Sequence, residues 1–268
     1  MNAIDYFSLG ADPELFIVNT KTDKVVSAVG MIPGEKGNPY TEGLPKGYGL
    51  ETDNILAEFN IPPVYDKEDF VESILYMQNY IDKFVKRINP DLGIKCVASQ
   101  VVPASELQSK QAKEFGCSVD YNVYTKKANP KPKGTATNIR SAGCHLHFGY
   151  DCPNIDQSLL LIKYFDLCIG IPSIIKDPDI KRRSLYGKAG CFRLKKYGFE
   201  YRVLSSAMMN SVSNIKFVWN QLMKAINFYN NDISLPSSSL IRDTINNSDI
   251  EMAKRLIKEY ELCADCGE

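Results

Sequence analysis

The sequence predicts an α+β fold, and three observations carry that expectation. Six alternating or β-rich segments, "ELFIVN", "KVVSAVG", "NILAEFNI", "IKCVASQVV", "AGCHLHFGY" and "FEYRVLS", recur along the first 205 residues between Gly/Pro/Asn-rich connections. Helical periodicity lies between them, and from about residue 207 onward every periodic segment is helical. The 268 residues are 44% apolar and 24% charged, globular material long enough to bury a full core. No internal repeat, low-complexity tract or linker is visible. The expectation is therefore one domain over 1–268, with 207–268 as its helical C-terminal part.

Each helix has a local reason. "DKEDFVESILYMQNYIDKFVKRI" (66–88) starts on an Asp after "PP", places Phe70, Ile74, Leu75, Met77, Ile81 and Val85 at helical spacing, and stops at "NP". "NIDQSLLLIKYFDLCIGIPSII" (154–175) reads as a second, more buried helix, and "NSVSNIKFVWNQLMKAINFYNN" (210–231) as a third. "SDIEMAKRLIKEYEL" (248–262) is a fourth, with Ser248 as its expected N-cap. The stretches 104–137 and 176–198 read as irregular, and long irregular stretches in a compact fold tend to be functional loops or lids.

Composition excludes several classes. Thirty-two basic residues balance thirty-two acidic ones, so no global field draws the chain to nucleic acid or to a lipid surface. The N-terminus has no basic n-region leading into an apolar core, and nowhere do eighteen apolar residues run uninterrupted. A soluble, cytoplasmic protein with no membrane partner is expected. The eight cysteines are irregularly spaced and read as reduced thiols. The terminal "CADC" (263–266) is a lone C-x-x-C, weak evidence for zinc because a structural site normally needs four ligands.

In a strand, residues two apart share a face. This chain places polar i, i+2 pairs inside apolar strands four times: Asp12 and Glu14, Glu58 and Asn60, His145 and His147, Glu200 and Arg202. One such pair is ordinarily the wet face of a half-exposed sheet. Four pairs that supply carboxylates and the chain's only two imidazoles point instead to divalent cations. If the strands share a sheet, Asp12, Glu14, Glu58, His145 and Glu200 crowd one face, and their mutual repulsion calls for a cation. Oxygen-rich ligation with an imidazole suits Mg²⁺ or Mn²⁺ better than zinc. The loop "KRRSLYGKAGCFR" (181–193) adds Arg182, Arg183, Lys188 and Arg193, and Arg202 follows. Guanidinium binds phosphate or carboxylate through paired hydrogen bonds, so this cluster is either a solvated basic loop or a phosphate clamp; its place before the Glu200 strand favours the clamp. Neither a P-loop nor a G-x-G-x-x-G occurs.

"ADPELF", "SAGCHLH" and "FEYR" resemble, in order, the acidic strand, the H-x-H strand and the closing E-x-R strand of glutamine synthetase. The longer string "GADPELF … DNILAEFNIPP … RSAGCHLHFGY … RRSLYGKAGCFR … EYRVLS" is still more similar to the carboxylate-amine ligases found largely in phages, an amidoligase branch of the glutamine synthetase and glutamate-cysteine ligase superfamily. The resemblance covers residues 8 to about 230. It implies a curved, mainly antiparallel sheet of about six strands with helices on its outer face. It also implies an ATP-dependent ligase that forms an amide through an acyl phosphate, with two Mg²⁺ (or Mn²⁺) ions. By the same resemblance Glu14 and Glu58 would hold one ion, and Asp12, His145 and Glu200 the other. Asp12 stands where glutamine synthetase has glutamate. His147, with Lys188, Arg193 and Arg202, would face the nucleotide. Arg202 with Arg182, Arg183 and Arg193 would form the catalytic clamp. Asp53, Asn54 and Glu51 are second-rank, because their spacing to Glu58 fits the superfamily poorly.

Two other classes compete. A two-metal hydrolase of phosphoesters or amides uses similar ligands, but the arginine cluster favours the ligase. A non-catalytic phage protein that keeps the fold for binding fits poorly with intact motifs. The acid and amine substrates are open, a large nucleic acid acceptor is disfavoured, and a homo-oligomer is compatible with the sequence. The segment 104–137 is the expected lid and acceptor-recognition segment.

Overall fold

The structure is a computed structural model that describes residues 3–113, 120–129 and 138–262. Its strands are β1 (Phe7–Asn19), β2 (Lys24–Val26), β3 (Gly49–Asp53), β4 (Leu56–Asn60), β5 (Leu92–Lys95), β6 (Ser99–Val101), β7 (Tyr121–Asn122), β8 (Lys127–Ala128), β9 (Ile139–Ser141), β10 (Cys144–Tyr150), β11 (Cys191–Lys195) and β12 (Gly198–Tyr201). Its helices are α1 (Lys67–Ile88), α2 (Lys110–Lys113), α3 (Ile155–Phe165), α4 (Ile171–Lys176), α5 (Ile180–Leu185), α6 (Val212–Asn230), α7 (Ser238–Asn246) and α8 (Ile250–Glu259).

The α+β class expected from the sequence is observed, and β1 organises it. Its first half pairs with β10, its middle with β4, and its last residues with β2 and β5, always antiparallel. The resulting ten-stranded sheet follows the path β3-β4-β1-β10-β12-β11-β7-β8, with β2 and β5 on the far half of β1. β6 and β9 form a separate ladder. Ten strands replace the six expected. β3 ("GLETD") and β11 ("CFRLK") are too charged to signal as strands. "IKCVASQVV" splits, its first half joining β1 and its second pairing with β9.

The period of two sorts the residues of each strand. Leu9, Ala11, Leu15 and Ile17 of β1, Phe59 of β4, Leu146 and Phe148 of β10 and Phe199 of β12 lie in one core with Phe70 and Ile74 of α1, Leu161 and Phe165 of α3 and Phe217 and Trp219 of α6. Phe148 stacks on Phe7 and meets Phe165 edge-on, with ring centroids 5.2 Å apart in the second pair. Losing one such ring costs about 3–5 kcal/mol. The helices therefore cover one face of the sheet, and the polar pairs turn to the other.

Caps explain the helix boundaries. Asp66 and Asn154 accept the N–H of the third residue on, as their positions predict. Asp249, not Ser248, caps α8; its carboxylate accepts from the Met252 N–H at 3.0 Å while Ser248 turns at φ +49°. The carboxylate is the better acceptor for a helix start. α7 ("SSLIRDTIN") and α5 lie in stretches whose polarity hid their periodicity. α3 and α4 join through a π-turn, Asp166–Gly170, so Ile155–Lys176 is continuous. That span is long and apolar enough to cross a membrane, but 78% of its apolar window is buried inside the protein, as befits a core helix.

The π-turn also anchors the site from behind. Asp166, fully buried, accepts the Tyr201 O–H at 2.7 Å. A Cβ on Gly170 would lie 2.8 Å from that hydroxyl, so glycine there leaves it room. Tyr201 sits between Glu200 and Arg202, and fixing it fixes which way its two neighbours point. Burial pushes the Asp166 carboxyl up to about 7. The cysteines at 96, 144, 152, 168 and 191 are free thiols. Residues 114–119 and 130–137 of the expected lid, and the terminal C-x-x-C, lie outside the described residues.

Candidate active site

The register brings the polar pairs together on the face away from the helices. Asp12 is opposite His145, Glu14 is opposite Glu58, and Glu58 is opposite Glu51. On the other side His147 is opposite Glu200, which is opposite Arg193. Directly opposed side chains on one face stand about 5 Å apart at Cβ, where like charges repel. Glu51, Glu58 and Glu14 make such a row across three strands.

Three ligand groups result, each with donor atoms within 4.8 Å of one another: Glu14, Asp53 and Glu58; Asp12, Glu58 and His145; Asp12, His147 and Glu200. Glu58 and Asp12 are each shared by two groups. Asp53, held second-rank from spacing, joins Glu14 because the hairpin between β3 and β4 returns it to the same face. Asn54 serves the turn instead, at φ +57°, with its amide donating to the Gln111 carbonyl at 2.9 Å. Glu51 lies at the rim and accepts the Gly37 N–H at 2.9 Å. Asn60 donates to the Gly47 carbonyl.

The small residues before the H-x-H strand have a geometric role. Gly143 donates its N–H to Glu14 Oε2 at 2.5 Å, and a Cβ on it would lie 2.9 Å from His145 Nε2. His145 Nδ1 is 3.0 Å from Asp12 Oδ1, yet both atoms are buried without a hydrogen-bond partner. His147 Nε2 is 3.0 Å from Asp12 Oδ2, and its Nδ1 is 2.5 Å from the Tyr197 hydroxyl.

The electrostatics divide the face. Burial raises the Glu58 carboxyl well above the usual glutamate range, and the charges of Asp12, Glu14, Asp53 and Glu51 push the same way. Burial also raises Glu14, with the His145 charge opposing it. Burial disfavours charge on Asp12 too, but His145 and His147 outweigh it and hold that carboxyl well below its usual range. For Glu200, burial is outweighed by Arg202 and His145, and its pKa falls to about 2. Arg202 donates through Nη1 to Glu200 Oε1; Arg193 Nη1 is 3.3 Å from the same oxygen and Lys195 Nζ is 3.0 Å from the other.

The residues fit a divalent cation. Carboxylate oxygens predominate, an imidazole is present, two buried donor atoms lack partners, and the Glu51–Glu58–Glu14 row has more negative charge than its neighbours offset.

A cavity of about 50 Å³ opens beside these groups, walled by Glu14, Asp53, His145, Asp120 and the arginines 140, 182 and 202. Arg182 reaches it while donating to the Val203 and Leu204 carbonyls at 2.9 and 2.7 Å. Arg183 instead turns into the protein, donating to the Gly187 carbonyl at 3.2 Å, with burial lowering its pKa to about 10. Neither Arg183 nor Lys188 lines the cavity. Arg140, on β9, donates to Asn54 and to the Ala112 carbonyl. It went unnoticed in the sequence although it directly precedes "SAGCHLH". Asp120, 3.9 Å from the Arg202 guanidinium, lies inside the stretch expected to serve as lid and acceptor-recognition segment. Tyr197, in the turn before β12, and Lys195, the last residue of β11, carried no recognisable signal.

Residues 134–256 match the family model described as Phage phiEco32-like COOH.NH2 ligase-type 2. The match spans the H-x-H strand, the arginine-bearing stretch and the Glu200–Arg202 strand. It supports a carboxylate-amine ligase family for this chain, as the motifs do. No curated protein matches the sequence. The strands bearing Asp12, Glu14 and Glu58 precede the matched region, and their place beside it comes from the sheet register.

Proposed function

Taking a carboxylate-amine ligase family as premise, we propose that the protein joins a carboxylate to an amine at the expense of ATP, through an acyl phosphate. The observation that carries this reading is the adjacency, in one cavity wall, of a carboxylate and imidazole cluster and three arginines. A carboxylate is a poor electrophile until phosphorylated. Its oxygen attacks the γ-phosphorus of ATP and ADP departs; the amine then attacks the acyl carbon, inorganic phosphate leaves, and an amide remains. Both steps gather negative charge on a phosphoryl group, which positioning and electrostatics must offset.

Two Mg²⁺ ions would be held by Glu14, Asp53 and Glu58 and by Asp12, His145 and Glu200, with Glu58 and His147 at the seams. Bound there, they supply charge neutralisation to the phosphate oxygens. Arg202 and Arg182 present guanidinium donors to the transferring phosphoryl or to the substrate carboxylate, and Arg193 approaches the same region from β11. Glu200 orients Arg202 by accepting its Nη1. Asp120, on the cavity wall, is the group suited to hold an ammonium and to take up the proton that the amine loses.

The test is trapping. Purified protein given ATP, Mg²⁺, hydroxylamine and a panel of small acids is expected to form a hydroxamate and release phosphate with one class of acid. ATP binding that is insensitive both to Mg²⁺ and to Glu200→Ala would overturn the reading.

A further inference from the structure

We propose, on the reading that the acidic half of this face holds a divalent cation and a nucleotide, that Lys36 is a phosphate-facing cation of the same site, resting on Asp53 until they bind. Lys36 lies in the connection between β2 and β3, a segment that no motif marks. Its ammonium is 2.6 Å from Asp53 Oδ2, with its own side chain 43% exposed and that of the aspartate 11%. Asp53 belongs to the ligand group with Glu14 and Glu58. The loop thus delivers a positive charge to the rim of this acidic cluster. Glu51 also feels it: the Lys36 charge opposes the rise that burial imposes on that carboxyl.

Backbone hydrogen bonds hold this loop against β3. The Thr52 N–H donates to the Gly34 carbonyl at 3.2 Å, Gly37 donates to Glu51, and Tyr40 and Leu50 exchange two backbone hydrogen bonds. Gly34 takes φ +85°, and a Cβ there would lie 2.3 Å from the Leu50 carbonyl oxygen, so glycine lets the loop lie against β3. A four-carbon lysine stem can re-aim its ammonium while its Cα stays fixed.

A divalent cation held by Glu14, Asp53 and Glu58 takes up the Asp53 charge that Lys36 now offsets, and two cations on one carboxylate repel. A phosphate resolves the conflict, because its oxygens can bind the metal and accept from the ammonium together. Arg182 and Arg202 line the same cavity as Glu14 and Asp53. A polyphosphate bound there would then meet the Lys36 ammonium as well as the arginines.

Opposite shifts in two affinities test this. Metal-free wild type and Lys36→Met are titrated calorimetrically with Mn²⁺ alone, then with a non-hydrolysable ATP analogue at saturating Mg²⁺. Removing a like charge beside the cation should lower the Mn²⁺ dissociation constant of Lys36→Met by about threefold or more. Losing one hydrogen bond to a charged group should raise its nucleotide dissociation constant by about tenfold. Lys36→Arg should return both toward wild type. An Mn²⁺ affinity that is unchanged or weaker, or a nucleotide affinity that does not fall, overturns the proposal. If wild type itself binds neither Mn²⁺ nor nucleotide, the failure belongs to the ligase reading instead.

Discussion

The two halves of the polar face solve the problem of buried charge in opposite ways. On β10, β11, β12 and the Asp12 position of β1, Glu200 is ringed by Arg202, Arg193 and Lys195, Asp12 carries two imidazoles, and both carboxyls are held low. On β3, β4 and the middle of β1, Glu51, Glu58 and Glu14 stand in a row, and all three carboxyls are pushed up. The first half is neutralised by the chain itself. The second is left short of positive charge, and that is where an added cation would act most strongly.

The comparison breaks most visibly at Arg202. Arg202→Met leaves Glu200 buried beside fewer cations, and the expected loss of stability is about 3–5 kcal/mol by urea unfolding. Supplying the missing charge to the acidic half works the other way. At Mg²⁺ a hundredfold above its dissociation constant, wild type should gain about 2.7 kcal/mol, read as a rise in melting temperature that EDTA reverses.

The pH dependence follows with its sign. Glu14 and Glu58 have folded pKa values above the usual 4.5, so in metal-free protein the folded state holds more protons than the unfolded one above that pH. Stability should therefore fall as pH rises from about 4.5, by up to about 1.4 kcal/mol per pH unit for each excess proton. Glu200 works oppositely: its contribution is present above about 4.5 and is lost as pH falls toward about 2. Unfolding curves across pH should show Mg²⁺ flattening the upper limb.

Smaller effects sharpen the same contrast. Glu58→Gln should stabilise metal-free protein by about 1 kcal/mol, because it relieves like-charge pairing, while weakening Mn²⁺ binding. Arg193→Met should cost under about 1 kcal/mol by thermal unfolding, since Arg202 and Lys195 remain on Glu200.

Much of this face was legible because strand alternation is local. The spacing of Asp12 and Glu14, or of His145 and His147, fixes a shared side whatever the partner strand, and helix α1 announces both its ends through Asp66 and Asn89. What the sequence hid depends on partners far along the chain. Asp53 reaches the ligand group only because the Asn54 turn folds β3 back on β4. Lys36 reaches Asp53 through a loop whose bridges to β3 have no periodic signal. Arg183 looked like Arg182 in a row of basic residues, but one helical step, about 100°, turns it away from the cavity. The charged strands β3 and β11 failed the apolar test for strands because the site sits on them.

The central claim is that this face binds two divalent cations with ATP. Titration of metal-free protein with Mn²⁺ in the presence of a non-hydrolysable ATP analogue, followed by electron paramagnetic resonance, counts them directly. The account predicts two bound ions per chain in wild type and one in Glu14→Gln. No bound ion, or a stoichiometry that Glu14→Gln leaves unchanged, would contradict it.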